Sequence, residues 1–426
     1  MNDPSGTTTR ALPATAVVSL ALLAALAPLA VDMYLPGFPG IGTEFGTTAS
    51  AVQFTLTAFL IGMALGNLVI GPLSDRFGRR SSMLVGTTVC AAASVACALA
   101  PTVELLAAAR CAQGFAGAAG IVVGRAVVSD RAEGPAAAKL FGLLVLVSAI
   151  APIAAPLAGG AIILSVGWRA VFWFLAVLSL VMLAAIVFFL PESLPEERRS
   201  ASGVSGMLRD AGGVVRDRKY LGYLLAHTFA FGVLFAYISA SPFVLQEIHG
   251  LSTGWFTLLF AFNAVGITLG NVVNQRLLAR TTPHRLLVAG LGLLVFWSAV
   301  LSVDALTGST RVVTMVALWF GVASLGLVLA NAATLALGQV RHAAGTGSAL
   351  LGALQFLLAA LVAPLVGAWG EDTAVPMAVA MLACAVLGLL PLTSLVREAV
   401  RPSSRPPRPR DGNGRRACSS RCEDNS

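Results

Sequence analysis

About twelve times along this 426-residue chain, a stretch of roughly 20 residues or more passes with almost no charge. At about 1.5 Å of rise per residue, each run is long enough to cross a hydrocarbon layer roughly 30 Å thick as a helix. The runs are dominated by Gly, Ala and Leu and lack the in–out alternation of barrel strands, so helices are the predicted spanning elements. They are placed at 14–36, 50–70, 81–100, 104–128, 138–164, 168–190, 220–246, 253–275, 284–304, 311–337, 347–370 and 374–395. The first is too long for a signal peptide and leads into Asp32-Met33-Tyr34-Leu35-Pro36 without a small-residue cleavage pattern, so it is read as an uncleaved helix.

The loops give an orientation. With the N-terminus in the cytoplasm, every basic residue except Arg110, Arg169 and Arg311 falls on the cytoplasmic side, as the positive-inside rule requires. Both termini are therefore expected inside, and the net charge of +8 is explained by topology and anionic headgroups, without nucleic acid. Two lysines stand beside 26 arginines, a bias expected of a G+C-rich bacterial genome, and the expected location is a bacterial cytoplasmic membrane. Of the six cysteines, Cys90, Cys97, Cys111 and Cys384 lie in spans as small apolar residues, while Cys418 and Cys422 sit in a Pro/Arg/Ser-rich tail. No metal site is expected. There is no phosphate-binding loop, and His227, His249, His284 and His342 form no nucleophile-histidine-acid set in the sequence, so neither ATP-driven transport nor hydrolysis is expected and the chain is not read as an enzyme.

A polar stretch at 191–219 divides the spans six and six. The predicted organisation is a cytoplasmic N-terminus (1–13), an N-terminal six-helix bundle (14–190), a cytoplasmic linker (191–219), a C-terminal six-helix bundle (220–395) and a disordered cytoplasmic tail (396–426). The halves echo each other. An offset of 204 lays Gly62, Leu65, Gly66, Asn67, Val69, Leu73 and Arg76 onto Gly266, Leu269, Gly270, Asn271, Val273, Leu277 and Arg280. Ala155-Pro156-Leu157-Ala158-Gly159 likewise resembles Ala363-Pro364-Leu365-Val366-Gly367. Parallel six-helix repeats around a midplane cavity are the construction of rocking transporters.

Between the second and third spans lies Gly71-Pro-Leu-Ser-Asp-Arg-Phe-Gly-Arg-Arg80, three arginines and one aspartate flanked by lipid-compatible sequence. The arginines alone fit a topology-fixing inside loop. The whole string is more restrictive: Gly78 permits a turn, Asp75 can face a helix N-terminus, and Arg76, Arg79 and Arg80 can pair with carboxylates or headgroups. Within the spans, charge is costly and points to function. Asp32 is the only carboxylate clearly inside an N-half span, and can equally be a helix-end group exposed to external water. Arg110 is a guanidinium that cannot deprotonate; it either couples to a titrating partner or is bonded to helix-end carbonyls. Arg125 reads as a snorkelling anchor. Tyr34, Gln53, Gln113, Asn263, Asn331 and Gln355 are candidates to line a cavity, with Phe54, Phe59, Asn67, Phe231, Phe235, Tyr237 and Phe356 as further possible members.

These motifs together resemble the major facilitator superfamily. Gly62, Gly71, Leu73, Asp75, Arg76, Gly78, Arg79, Arg80 and Leu84 match its loop signature. The resemblance implies a cytoplasmic latch in which Asp75 faces the start of helix eleven near Gly345-Thr346-Gly347 and the arginines reach acids such as Asp130. Arg110, Gln113 and Gly114 fit the family's fourth-helix motif. Pro152, Pro156, Gly159 and Gly160 fit the fifth-helix motif of antiporters, with Ala155 in place of the usual glycine. The string Asp32-Met-Tyr-Leu-Pro-Gly-Phe-Pro resembles the drug:proton antiporters of the bicyclomycin-resistance (Bcr/CflA) group, with Asp32 at the proton-linked position and Ala24 where some relatives carry a second acid. The resemblance covers roughly 14–395. It implies an all-α fold of twelve transmembrane helices in two pseudo-symmetric bundles and proton-coupled efflux of small amphipathic drugs, amphenicol- or bicyclomycin-like. Asp32 would carry the proton, Arg110 and Gln113 would couple it to the drug, and the proton gradient would replace any cofactor. The expected partners are the drug, protons and membrane lipid, with a monomer as the working unit. A metabolite symporter or uniporter of the same fold is the alternative. A non-transporting receptor is a third reading, against which stands the lack of any soluble-domain pattern in the linker or tail.

Overall fold

The computed structural model describes residues 14–131, 134–199, 209, 211–368 and 373–396. The predicted N-terminus, most of the linker, the end of the eleventh span and nearly all of the tail lie outside the described residues. Among those described, twelve helices are long and apolar enough to cross a membrane. They are α1 (Ala14–Asp32), α2 (Ala49–Phe77), α3 (Arg79–Leu99), α4 (Val103–Arg131), α5 (Gly134–Val166), α6 (Arg169–Phe189), α7 (Arg218–Pro242), α8 (Thr253–Leu278), α9 (Pro283–Thr307), α10 (Arg311–Gln339), α11 (Ala344–Ala368) and α12 (Val375–Pro391).

Local chemistry sets the ends. The hydroxyls of Thr48, Ser252 and Thr282 and the carboxylate of Asp217 accept backbone N–H groups at the starts of α2, α8, α9 and α7. Helix α2 runs seven residues past the predicted 70, because Pro72 is the only obstacle in its last turns and Ser74-Asp75-Arg76 stay helical until Gly78, whose φ of +95° ends the run. The first predicted span, 14–36, is corrected in the opposite sense. Helix α1 stops at Asp32, followed by a turn at Leu35–Gly37 and a short helix, Phe38–Phe45. Pro36 and Pro39 explain the break, since each lacks an N–H and biases the residue before it away from helical geometry. Helix α7 similarly widens beyond Pro242 into a π-helical turn at Phe243–Ile248.

The packing repeats with the sequence. In the N-terminal half, α2 packs on α4, α3 on α4 and α6, and α1 on α4, α5 and α6. The C-terminal half reproduces every one of these pairs six helices later: α8 on α10, α9 on α10 and α12, and α7 on α10, α11 and α12. Across the halves, α2 meets α11 and α5 meets α8, two contacts that exchange under the same two-fold relation. Glycines permit the closest approaches: a methyl at Gly114 would overlap the backbone of Phe59 in α2, and one at Gly270 would overlap the Ala323 carbonyl in α10. Where lipid removes the hydrophobic drive between helices, such backbone-to-backbone contact is what remains to hold them together.

Candidate functional site

The two halves are sealed at one end and parted at the other. At the sealed end, Gln53 of α2 donates to the Ser239 carbonyl of α7 at 3.1 Å, and Gln246 donates to the Pro36 carbonyl at 3.4 Å. The Phe38 and Phe243 rings lie 5.9 Å apart between centroids. Gly160 of α5 packs directly on Thr257 of α8 across the interface between halves, where a larger residue would force them apart, whereas Gly159 lies against the Met33 carbonyl within its own half.

At the opposite, arginine-rich end a cavity of about 710 Å³ lies between the halves, walled by the inner ends of α2, α4, α7, α10 and α11. A second, deeper cavity of about 210 Å³ adjoins it, the two sharing Ile121 and Phe356. The deeper one is almost wholly apolar, with Phe59, Phe231, Phe235, Tyr237, Phe260 and Phe356 in its wall, and Pro152 also reaches it. Its one ionisable acid is Asp32. That side chain is 5% exposed, and its Oδ1 is buried with no hydrogen-bond partner. In this state Asp32 closes α1 inside the protein and is not exposed at a helix end.

Behind this wall sits Arg110, fully buried. It donates to the Ala30 carbonyl at 2.9 Å and to Gln113 Oε1 at 2.7 Å, and Gln113 passes the chain on to Ser94 at 2.7 Å. Its guanidinium carbon lies 4.2 Å from the Tyr34 ring centroid, 4.3 Å from Phe59 and 5.7 Å from Phe172. This aromatic box takes the place of a paired carboxylate. Arg110 therefore holds α1 by a carbonyl two residues before Asp32 and shares Phe59 with the deeper cavity, while making no hydrogen bond to Asp32 itself.

At the arginine-rich end, Asp75 pairs with Arg79 at 2.6 Å and Arg79 Nε with Asp130 at 3.0 Å. Asp130 also accepts from Ser193 Oγ at 3.1 Å. Glu192 caps the start of α3, accepting the backbone N–H of Arg79 at 2.9 Å and of Arg80 at 3.2 Å, and Arg131 bonds the Glu192 carbonyl. Arg80 donates to the Val187 carbonyl at 2.7 Å. The loop is thus fastened to α4 and to the end of α6, all within the N-terminal half. The expected latch from Asp75 to α11 is not made: Asp75, Gly345 and Thr346 line opposite walls of the open cavity, and the carboxylate turns to Arg79 instead. Gly71 lines that cavity too, and Arg76 rests on Phe77 at 5.3 Å.

Of the six side chains expected to line a cavity, Gln355 does so at the arginine-rich end. Four others are corrected: Tyr34, Gln53, Gln113 and Asn331 line neither inner cavity, because each is engaged in helix-to-helix bonding. Tyr34 Oη lies 3.3 Å from Thr55 Oγ1, and Asn331 donates to Asn274 Oδ1 at 2.7 Å. Asn263 donates to Tyr237 Oη at 2.9 Å and borders a separate apolar pocket between α8 and α10. Arg125 faces the open cavity. Two residues escaped the sequence reading. Glu192 falls within the predicted linker, and nothing local in the sequence ties it to the start of α3, which it caps from more than a hundred residues away. His227, the one histidine well inside a span, lines the open cavity.

Twelve membrane helices in two repeated bundles, closed together at one end and parted at the other, with a buried acid in the deeper cavity between them, define a membrane transporter rather than an enzyme. Residues 20–364 match the family model described as Major Facilitator Superfamily, and the chain belongs to that family. It is 38% identical to the "Uncharacterized MFS-type transporter YdgK" of Bacillus subtilis (strain 168), over 89% of this chain and 95% of that one. It is 31% identical to the "Bicyclomycin resistance protein homolog" of Haemophilus influenzae, over 88% and 94%, and 29% identical to the Shigella dysenteriae "Multidrug resistance protein MdtL", over 86% and 92%. Among solved structures, the D-xylose-proton symporter shares the fold with a TM-score of 0.72 at 16% identity, over 88% of this chain and 95% of that one. The human organic anion transporter MFSD10 does so with 0.64 at 19%, over 89% and 98%. The relatives bear out the resemblance to the bicyclomycin-resistance branch.

Proposed function

We propose that this protein exports small amphipathic drugs in exchange for protons, by alternating access. The observation that carries the reading is the setting of Asp32: an acid with an unbonded oxygen in the wall of an otherwise apolar, aromatic-lined cavity between the halves. Such a cavity takes lipophilic cargo, and burying an unpaired carboxylate is costly enough that the acid carries a proton when the site is dry. The names of the bicyclomycin- and multidrug-resistance relatives point the same way.

With the arginine-rich end in the cytoplasm, as the positive-inside rule expects, the parted end admits cargo from within the cell. Cargo in the deeper cavity displaces the proton from Asp32. Rocking then seals the arginine-rich end, Asp75 reaches the start of α11, and the far end parts to release cargo and reload the acid. Arg110, tied to the same turn of α1, senses and holds its position. Gly160 of α5, against Thr257 of α8, provides the sliding contact.

The test is proton flux in sealed vesicles loaded at acidic pH, adding amphenicols, bicyclomycin and lipophilic cations in turn. Drug-evoked proton release that disappears in Asp32→Asn is the expected result. Silence toward every compound, with protein intact in the bilayer, removes the drug-efflux reading and favours the metabolite carrier.

A further inference from the structure

The deeper cavity offers cargo almost nothing to hydrogen-bond, yet the neighbouring cavity contains a polar pair that the efflux scheme does not use. His227 of α7 is buried, with its ring stacked on Phe231 at 6.3 Å and an interplanar angle of 17°. Phe231 in turn meets Phe356 edge-on at 5.3 Å, and Phe356 borders both cavities. The imidazole thus stands at the neck between them.

Its hydrogen bonds are restrictive. Nδ1 lies 3.1 Å from the Leu329 carbonyl oxygen of α10, and Nε2 lies 2.7 Å from Gln355 Oε1 of α11. A main-chain carbonyl only accepts, so Nδ1 carries a proton in both charge states. Nε2 is then the titrating nitrogen. With Nε2 protonated, it donates to the Gln355 carbonyl oxygen, and the amide NH2 is left toward the cavity. With Nε2 bare, the amide must turn to donate to it, and the carbonyl oxygen is left toward the cavity. One proton therefore exchanges a donor for an acceptor in the cavity wall.

We propose that His227 and Gln355 form a polar recognition site for cargo in the C-terminal bundle, binding a hydrogen-bond acceptor on the cargo when His227 is protonated and a donor when it is neutral. The inference rests on the efflux reading for the identity of the cargo, but the proton-dependent turn of the amide stands on the geometry alone. Cargo with a carbonyl, nitro or ether oxygen beside a lipophilic body would place that oxygen on Gln355 and its body among Phe231, Phe356 and the deeper cavity. Ionisable groups around the site are few. Across the cavity stand Asp75 of α2, Arg79 of α3, and Arg125 and Asp130 of α4. Its own helix carries Arg218, Lys219, Tyr220, Tyr223 and Tyr237, with Tyr220 bonded to Gly347 of α11 and Tyr223 contacting His284 of α9; α12 contributes Cys384, close to Gly232 of α7. Within the described parts of α10 and α11, the one charged side chain is Arg311, at the far end of α10.

The test uses the full chain in nanodiscs, labelled with nitrogen-15 in histidine and in glutamine side chains. The chain has four histidines, and His227→Gln identifies the signal. The expected result is an Nδ1-protonated ring at every pH, titrating at Nε2, with the Gln355 amide signal shifting at the same midpoint. An Nε2-protonated neutral ring, or a Gln355 signal indifferent to that midpoint, overturns the site. The second arm measures binding of benzophenone, which accepts hydrogen bonds and donates none, with tetraphenylphosphonium as a probe that makes no hydrogen bonds. In wild type, lowering pH through the His227 midpoint should tighten the acceptor probe about three- to tenfold, the size of one hydrogen bond, relative to tetraphenylphosphonium. Gln355→Leu should erase that difference. If the difference survives in Gln355→Leu, cargo recognition lies elsewhere and the proposal fails, while drug-evoked proton release in wild type still upholds efflux. If release fails for every drug while both arms succeed, the site stands and the efflux reading alone falls.

Discussion

The two bundles keep the same steric plan and differ in their charge. Every helix pair in one has its counterpart in the other, and glycine brings α2 against α4 and α8 against α10 alike. The charges are not repeated. The first half buries Asp32 and Arg110 and knots its loop with Asp75, Arg79, Asp130 and Glu192. In the second half Ala279 stands where Asp75 falls, Arg276 and Arg280 are exposed, the buried carboxylate Asp304 sits at the sealed corner bonded to the Thr310 N–H and the Thr314 hydroxyl, and the inner polar groups are His227, Gln355 and a pair of asparagines. A duplicated scaffold retains what packing demands, because lipid offers no other adhesive, whereas only one copy of a charged device is needed.

The steric half of that comparison carries the largest predicted effect. Gly114→Ala drives a methyl into the Phe59 backbone, and Gly326→Ala drives one to 2.5 Å from the Asn271 nitrogen. Neither obstacle is a flexible side chain, so each variant should lose about 3 kcal/mol or more by overpacking. Thermal unfolding in detergent micelles checks this. Loss in one bundle only would break the equivalence of the two packings.

Next comes the buried charge. Arg110→Lys keeps the charge but not the planar fork that reaches the Ala30 carbonyl and Gln113 at once while lying against Tyr34 and Phe59. Loss of a charged hydrogen bond corresponds to a drop of about tenfold or more in drug-evoked proton flux, with helical content unchanged. Gln355→Asn, in the other bundle, should alter cargo preference and leave the maximal flux of tetraphenylphosphonium within about twofold, since no charge is displaced. Equal losses in both would mean that the charge asymmetry is not what divides the labour.

Much of this was legible in the chain because membrane helices announce themselves by length, and because the 204-residue offset reports the repeat without any contact being known. Asp32 and Arg110 stood out for the same reason: charge in an apolar run is rare. What sequence does not carry is rotation about a helix axis. Gln53 and Gln355 look alike in an apolar context, yet one points across the seal to Ser239 and the other into the open cavity. The break after Asp32 was written in Pro36 and Pro39 but was outweighed by unbroken hydropathy. Glu192 was hidden because its partners, the backbone N–H groups of Arg79 and Arg80, are more than a hundred residues away.

That capping acid supplies a smaller effect. Glu192→Gln removes a full negative charge from the start of α3 while keeping one acceptor, and should cost about 0.5–2 kcal/mol, fading in high salt. Arg280→Ala, in the matching loop of the other half, should change stability by no more than about 0.5 kcal/mol. Chemical denaturation of the pair at low and high salt measures both. A salt-insensitive Glu192→Gln would show that the cap works by geometry and owes nothing to charge.

The smallest effect separates the bundles at their sealed end. The N-terminal corner is clamped by Glu44, which takes Arg169 at 2.9 Å and the Trp168 indole at 2.6 Å, and holds no histidine. The C-terminal corner holds His249, whose carbonyl accepts Arg311 and whose Nε2 lies 3.4 Å from Ser309 Oγ. Burial, and then the Arg311 charge, hold this imidazole below its ordinary value of 6.5, with Asp304 opposing them. The sign follows from linkage: below about pH 6.5 the unfolded chain takes a proton that the folded corner resists, so stability present at higher pH is lost as the medium acidifies. His249→Gln should therefore match wild type in pH dependence between pH 7 and 8 and lose less on going to pH 5, a difference of about a degree or two in melting midpoint. Parallel curves for the two proteins would mean that the C-terminal corner admits a proton as freely as water does. The acid loss would then have to be sought in groups common to both bundles, and the contrast between the two corners would reduce to shape.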